Sequence, residues 1–262
     1  IFTKDYPQMA ITVIIGTCNS AKYIRKALDF VSDYDEVLIY DKGSTDDTIE
    51  IAKQAGYEVI HTIDCDTDGF QAHNNAIERA KNDWILFLRP GELAPRALKK
   101  YLDDFIKNPG DTHGLFIPRR NFLMNMEDTN NYPDFQLRFF HRGGTVWNDD
   151  EAELPSVYGR TDRLPAYNRK LALIHLPGSI NDAIGHLEQF HSDTDIVPRK
   201  IPLMEILTTT MGTFMKEYIL KGKFRYGSIG YIDAVNTTMK DYFLLAKQHE
   251  KHAMKEINEK LK

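Results

Sequence analysis

Residues 10–47, AITVIIGTCNSAKYIRKALDFVSDYDEVLIYDKGSTDD, decide the fold. Ile11, Val13, Ile14 and Ile15 form a near-continuous, β-branched run, the pattern of a strand buried on both faces of a parallel sheet. The run ends at Gly16, and Thr17, Cys18, Asn19 and Ser20 follow. Asn19 or Ser20 can cap a helix whose apolar positions Ile24, Ala27, Leu28 and Val31 recur at helical spacing. A second buried strand is predicted from Glu36 to Asp41, and it opens into Lys42-Gly43-Ser44-Thr45-Asp46-Asp47-Thr48. There Ser44 can cap the next helix, with Asp47 three residues on in a variant of the capping box. Both strands thus bring small polar and acidic residues to one shared edge, which is where open α/β sheets bind ligands.

The 262 residues, 42% hydrophobic and 27% charged, suffice for one large α/β domain or a domain with an appendage. A net charge of −5 supplies no global basic field, which argues against nucleic acid as the main partner. No run of 18 apolar residues predicts a membrane-spanning helix, and the opening IFTKDYPQ lacks the pattern of a signal peptide. The two cysteines, Cys18 and Cys65, make neither a disulfide framework nor a zinc set, so a reducing, cytoplasmic setting is expected. No internal repeat or low-complexity segment is present.

Further along, a helix is predicted over 48–55, a strand over 57–62, a helix over 70–81 and a buried strand over 82–88. Asp64, Asp66 and Asp68 alternate beside Gly69 like part of a calcium loop. The closing Glu is missing, since Asn75 or Ile77 stands in its place, and a solvated turn is the better reading. A helix over 93–107, a strand over 113–118 and an irregular segment over 121–127 follow. Phe135, Leu137 and Phe139 alternate as one face of a strand, with Gln136 and Arg138 on the other. His175 closes a strand over 171–176; its separations of 11 and 5 along the series His175, His186, His191 match no compact metal motif. From about residue 193 the pattern turns helical, giving an expected division into 1–192 and a helical extension, 193–262. In that extension Leu203, Ile206, Leu207, Met211, Phe214 and Tyr218 recur at helical spacing, Gly222 stops the first helix, and 231–262 forms a second.

VIIGTCNSAKYIRKAL followed by VLIYDKGSTDDTIEIA resembles the amino-terminal half of the family-two, GT-A type glycosyltransferases. These carry a Thr-x-Asn turn after the first strand and an Asp-x-Gly-Ser-Thr-Asp-x-Thr loop after the second. The resemblance implies a mostly parallel, Rossmann-like GT-A sheet with Thr17, Asn19, Asp41 and Ser44 near a nucleotide. It implies His73 and Asn74 near the phosphates, in the place of the family's Lys-Asn; the plain alternative is a surface helix. The family ends its fourth strand in Asp-x-Asp, which holds a divalent cation against the pyrophosphate, whereas this chain reads Leu88-Arg89-Pro90-Gly91-Glu92. Arg89 suits direct phosphate binding through its planar fork. Mg²⁺ or Mn²⁺ held by other ligands, Glu92 among them, is a second reading, and a domain without catalytic activity a third.

Pro118-Arg119-Arg120-Asn121 and Asn131-Tyr132-Pro133-Asp134-Phe135-Gln136-Leu137-Arg138 resemble a subgroup of lipopolysaccharide-core and β-1,4-glucosyltransferase-like enzymes. Asp134, Gln136 and Arg138 would then flank the acceptor, although Arg138 reads equally well as the salt-bridge partner of a carboxylate. The subgroup's general base falls within Asp150-Glu151-Ala152-Glu153, with Glu153 first, then Glu151 and Asp150; the same acids also read as a solvated loop. Tyr218-Ile219-Leu220-Lys221-Gly222 and Gly227-Ser228-Ile229-Gly230 extend the resemblance into the helical part. The implied function is inverting transfer of a sugar from a nucleotide sugar, UDP-linked by preference, to a glycan or lipid-linked acceptor in envelope polysaccharide synthesis. The rival is a non-catalytic protein of the same fold that binds a nucleotide, a sugar or a partner enzyme. The extension is expected to pack on the core, on a second copy as a homodimer, or at the inner face of a membrane, which its lysine-rich flanks permit.

Overall fold

The structure, a computed structural model, describes residues 10–61, 69–124, 126–147, 154–176 and 196–260. The described residues fall into two compact units, one within 10–121 and 131–176, the other comprising 122–130 and the helical part. The expected boundary at 192/193 lies outside the described residues, and the short excursion 122–130 groups with the helices.

In the first unit, β1 (Ile11–Thr17), α1 (Ala21–Val31), β2 (Glu36–Asp41), α2 (Thr48–Gln54), β3 (Glu58–His61), α3 (Gly69–Arg79) and β4 (Trp84–Leu88) alternate strand and helix. β5 (Glu92–Leu93), α4 (Arg96–Phe105), β6 (Thr112–Leu123) and, within the second unit, β7 (Met126–Glu127) follow. β8 (Asp134–His141), β9 (Thr145–Val146), β10 (Ser156–Val157), β11 (Arg160–Arg163) and β12 (Leu173–His175) complete the strands. The main sheet runs in the order β3-β2-β1-β4-β8-β6-β12-β5. β1, β2, β3 and β4 are mutually parallel; β8 runs against both β4 and β6, which leaves β6 and β12 parallel to the first four. The α/β, mostly parallel GT-A arrangement expected from the sequence is present.

The apolar run of β1 is buried on both faces. Ile11, Val13 and Ile15 pack with α1 residues Ile24, Leu28 and Val31 and with Leu98 and Leu102 of α4. Ile14 faces the other way, onto Leu38, Tyr40, Phe87 and the α3 residues Ala76 and Ile77. Each fully buried aliphatic or aromatic side chain of this kind stabilises the fold by about 1.5–3 kcal/mol relative to exposure.

Three local expectations are corrected. The helix predicted over 93–107 begins only at Arg96, because the backbone of Glu92 and Leu93 is used as β5, paired antiparallel with His175 and Ile174 of β12. The segment 121–127, read as irregular, continues β6 to Leu123 and turns back as β7. Cys18 is disulfide-bonded, which removes unpaired thiols as an argument for a reducing compartment.

The second unit contains α5 (Leu203–Met215), a π-helical turn at Lys216–Leu220, a 3₁₀ turn at Lys223–Tyr226 and α6 (Gly227–Lys260). α6 starts four residues earlier than its apolar pattern predicts. α5 and α6 fold back on each other: Ile201 N donates to His249 Nδ1, and Phe214 packs edge-on against Tyr231. Gly222, at φ +71°, makes the turn, and buried Glu217 ties it down by accepting from Lys223 and Lys221 at 2.7 and 2.6 Å. Tyr226 donates to Asp128 and accepts from Asn130 N, which fixes the β6–β7 excursion to this unit. Among the described residues, no helix is long and apolar enough to cross a membrane.

Candidate active site

The loops after β1 and β2 are stitched into one wall. Thr17 and Asp41 are register partners and both are buried. Asp41 Oδ2 accepts from Thr17 Oγ1 at 2.9 Å and from Ser44 Oγ at 2.5 Å, while Oδ1 accepts from the backbone of Gly43 and Ser44. Asn19, at φ +48°, crosses the gap: its N–H donates to Ser44 Oγ and its Oδ1 accepts from Thr45 N. The structure therefore brings Thr17, Asn19, Asp41 and Ser44 together. Ser44 does not cap α2, whose N-cap is Asp47; its hydroxyl is spent on Asp41 and Asn19. Asp46 secures the same corner, accepting from Ala21 N, Thr48 N and the Thr48 hydroxyl. Burial acts to raise its carboxyl, but these donors outweigh it and hold it below the usual range.

His73 and Asn74 belong to a different piece of machinery. The His73 ring stacks on Trp147 with centroids 4.8 Å apart and lies 5.2 Å from Phe87. Asn74 Nδ2 donates to the Trp147 carbonyl, and Trp147 N donates to Asn74 Oδ1, both at 2.9 Å. Asn74 thus clamps Trp147 into the core, where its side chain is almost fully buried. Expected near the phosphates, both residues instead fasten α3 to the segment after β9.

The decisive geometry lies after β4. Residues 89–92 form a tight turn, with Glu92 N donating to Arg89 O at 3.0 Å and Gly91 at φ +81°. Gly91 O also accepts from Leu176 N, just past the end of β12, at 2.9 Å. Glu92 is fully buried and its lone pairs are all taken. Oε2 accepts from Arg138 Nε at 2.9 Å and from Arg89 N at 3.0 Å; Oε1 accepts from Arg119 Nη1 at 2.8 Å and Arg138 Nη2 at 3.2 Å. Burial acts to raise this carboxyl, yet Arg138 and then the other donors hold it below the usual carboxylate range.

The network continues outward. Arg119 Nε and Nη2 both reach Asp134 Oδ2, at 2.8 and 2.7 Å, and Asp134 also accepts from Asn121 and Gln136. Because Asn121 Nδ2 is committed to Asp134, its Oδ1 faces His175 Nδ1 at 3.0 Å, so His175 carries its proton on Nδ1 and leaves Nε2 as an acceptor. Burial, then the Arg119 charge, push the imidazole below its ordinary value.

Two arginines and two carboxylates give this cluster no net charge, with the strands of the sheet placing them at one edge: Arg119 and Asn121 on β6, Asp134 on β8, His175 on β12. Arg138, expected on the acceptor side, is wholly buried against Glu92 and offers no surface to a ligand. One of its nitrogens, Nη1, has no hydrogen-bond partner among the described residues. Asp134 and Gln136 are held in the network rather than presented freely. Arg89 is half-buried at the turn. Glu153, Glu151 and Asp150, the expected bases, lie outside the described residues, as do the Asp64–Asp68 loop, His186 and His191.

Whether a divalent cation fits here is answered by the donor set. The places of the paired aspartates hold Arg89 and Gly91, and the oxygens of the neighbouring Glu92 already take four donors from two guanidiniums and a backbone N–H. A hard cation needs several free oxygens, and these residues do not provide them. Among the described residues, no group of three His, Cys, Asp or Glu is arranged to hold a metal ion.

The mostly parallel sheet gathers polar loops at the carboxyl ends of its strands, the edge at which open α/β sheets bind ligands. Residues 12–144, just over half of the chain, match the family described as Glycosyl transferase family 2, and the chain belongs to it. It is similar to an uncharacterized glycosyltransferase of Rickettsia bellii, 27% identical over 83% of this chain and 65% of the relative. It is also similar to the lipopolysaccharide core biosynthesis glycosyltransferase LpsC of Rhizobium meliloti, 22% identical over 95% of each. The chain thus spans just under two thirds of the Rickettsia bellii relative's length. Glucosyl-3-phosphoglycerate synthase from Mycobacterium tuberculosis, solved with Mn²⁺, UDP and glucosyl-3-phosphoglycerate, overlaps 43% of each chain at 20% identity and a TM-score of 0.36.

Proposed function

We propose that the first unit transfers a sugar, with inversion, from a nucleotide sugar to a glycan or lipid-linked acceptor in envelope polysaccharide synthesis, without the metal clamp of paired aspartates. The observation that carries this reading is the Arg89–Glu92 turn, in which the one remaining carboxylate is neutralised by Arg138 and Arg119. Thr17, Asn19, Asp41 and Ser44 wall the nucleotide, and UDP is the favoured donor nucleotide by family resemblance. Arg89, at the end of β4, meets the pyrophosphate, where a guanidinium supplies the charge stabilisation that bond breaking demands.

In the transfer, the acceptor hydroxyl oxygen attacks the anomeric carbon while the bond from that carbon to the pyrophosphate oxygen breaks. The hydroxyl proton passes to a carboxylate, Glu153 or its neighbours Glu151 and Asp150, and the nucleoside diphosphate departs. Glu92 and Arg138 act by holding the turn that bears Arg89.

Calorimetric titration with UDP and a panel of nucleotide sugars, in Mn²⁺ and then in EDTA, tests this. Binding that persists in EDTA and weakens at least ~10-fold in Arg89→Ala supports it, as expected for loss of a charge-assisted contact. Binding that requires Mn²⁺ overturns the metal-free reading, and no binding in either condition points to the non-catalytic alternative.

A further inference from the structure

None of the 13 residues of α5 is buried, although seven of them are Leu, Ile, Met or Phe. Leu203, Leu207, Met211 and Met215 recur every four residues, so they form one stripe, and each exposes between 47% and 69% of its surface. Met204 widens the stripe, and no charged residue interrupts it between Glu205 and Lys216. The other side of the helix is occupied, as the packing of Phe214 on Tyr231 shows. Beside the stripe, a groove of about 930 Å³ opens between α5 and α6, walled by Met211, Met215, Tyr231, Met239 and Tyr242 among others. A contiguous apolar surface of this kind marks an interaction site.

We infer that this face docks on an anionic lipid surface. Charge decides the occupant. Residues 199–225 contain six basic and two acidic side chains, a net +4 within a chain of net −5. The basic residues bracket the stripe, with Lys200 before it and Lys216 after it, while Arg199 and Lys221 beside them are paired with Glu205 and Glu217. A second copy would set this patch against itself across a two-fold axis, like charge against like. Anionic headgroups meet the same lysines with the opposite sign. At 1.5 Å per residue α5 is about 20 Å long, too short to span a hydrocarbon core of about 30 Å, so it lies in the interface plane. The exposed rings of Tyr231 and Tyr242 have the apolar body and polar tip suited to that depth. The inference rests on the helical unit alone, and it deepens the proposed function only in saying how a lipid-linked acceptor would be reached.

The test is flotation of the full chain with phosphatidylcholine vesicles and with mixed phosphatidylcholine–phosphatidylglycerol vesicles over a range of salt. Binding is expected to the mixed vesicles alone, to fall as salt rises, and to weaken at least ~10-fold in the exposed double variant Leu207→Gln/Met211→Gln. Circular dichroism establishes that the variant is folded, and an unchanged nucleotide titration separates this outcome from failure of the donor-site reading. Absence of binding to either vesicle, or equal binding by the variant, overturns the inference. So does a lipid-free dimer in the analytical ultracentrifuge that the same substitutions dissociate.

Discussion

Arg138 Nε lies 2.9 Å from Glu92 Oε2, and neither side chain is exposed to solvent. A buried pair is expensive to assemble and more expensive to break, because the surviving partner is left charged in a medium that cannot solvate it. Glu92→Ala strands the buried Arg138 guanidinium, while Arg119 keeps Asp134. It is expected to destabilise the first unit by roughly 3–5 kcal/mol in urea denaturation, the range for breaking such a pair. The double variant Glu92→Leu/Arg138→Met removes both charges and should recover much of that loss. A cost below ~1 kcal/mol for Glu92→Ala would mean the ion pair does not hold the turn.

The same cluster sets an acid limit. Glu92 is held below its ordinary value in the folded state, so its stabilisation is complete above the unfolded glutamate range and is lost as pH falls through the folded value. His175 acts in the same direction for a different reason: burial and Arg119 depress its folded value, so the unfolded chain takes up a proton first as pH falls. Stability is therefore expected to decline already below the ordinary histidine value of 6.5 and again through the carboxylate range. His175→Gln should abolish the first decline and leave the second, as read from urea midpoints measured across pH. A variant with an unaltered first decline would assign it to another group.

Asn74 offers a cleaner separation of structure from chemistry. Its side chain exchanges two 2.9 Å hydrogen bonds with the backbone of Trp147. Asn74→Ala leaves a half-buried N–H and C=O unpaired, at a cost of about 1–3 kcal/mol each at most. A shift of tryptophan fluorescence toward the red should accompany the loss as Trp147 gains access to water. An unchanged spectrum and stability would show that the clamp is dispensable.

What the sequence reveals and what it conceals divide along contact distance. The alternating and continuous apolar patterns of β1, β2, β4 and β8 announce themselves because burial on one or both faces is written in adjacent residues. The wall built from Thr17, Asn19, Asp41 and Ser44 is equally visible, since two short motifs at the ends of neighbouring strands specify it. The partner of Glu92 is not visible. Arg138 stands 46 residues away, and its place on β8 beside β6 depends on sheet order rather than on any local signal. The one available hint is the reading of Arg138 as the salt-bridge partner of a carboxylate; that carboxylate is Glu92, while Arg119 holds Asp134. β5 escaped notice because two residues are too few to show a period, and His73 because a stacking partner 74 residues on leaves no trace in helix spacing.

Two glycines in the helical unit should respond to the same substitution with opposite signs. Alanine is favoured over glycine inside a helix by about 1 kcal/mol when nothing else changes. At Gly212, within α5, a Cβ would meet nothing within 4 Å, so Gly212→Ala is expected to stabilise by ~0.5–1 kcal/mol. At Gly230, in the first turns of α6, a Cβ would lie 1.8 Å from the carbonyl oxygen of Lys223 and 2.7 Å from its carbon. Those are backbone atoms, and Lys223 is held by Glu217 and Asp233, so the turn cannot yield cheaply. Gly230→Ala is therefore expected to destabilise by roughly 1–3 kcal/mol or more, the range for overpacking, despite its better helix propensity. Thermal melts followed by far-ultraviolet circular dichroism give the comparison directly. If both variants melt higher than the parent, the close approach of α6 to the Lys223 turn does not exist.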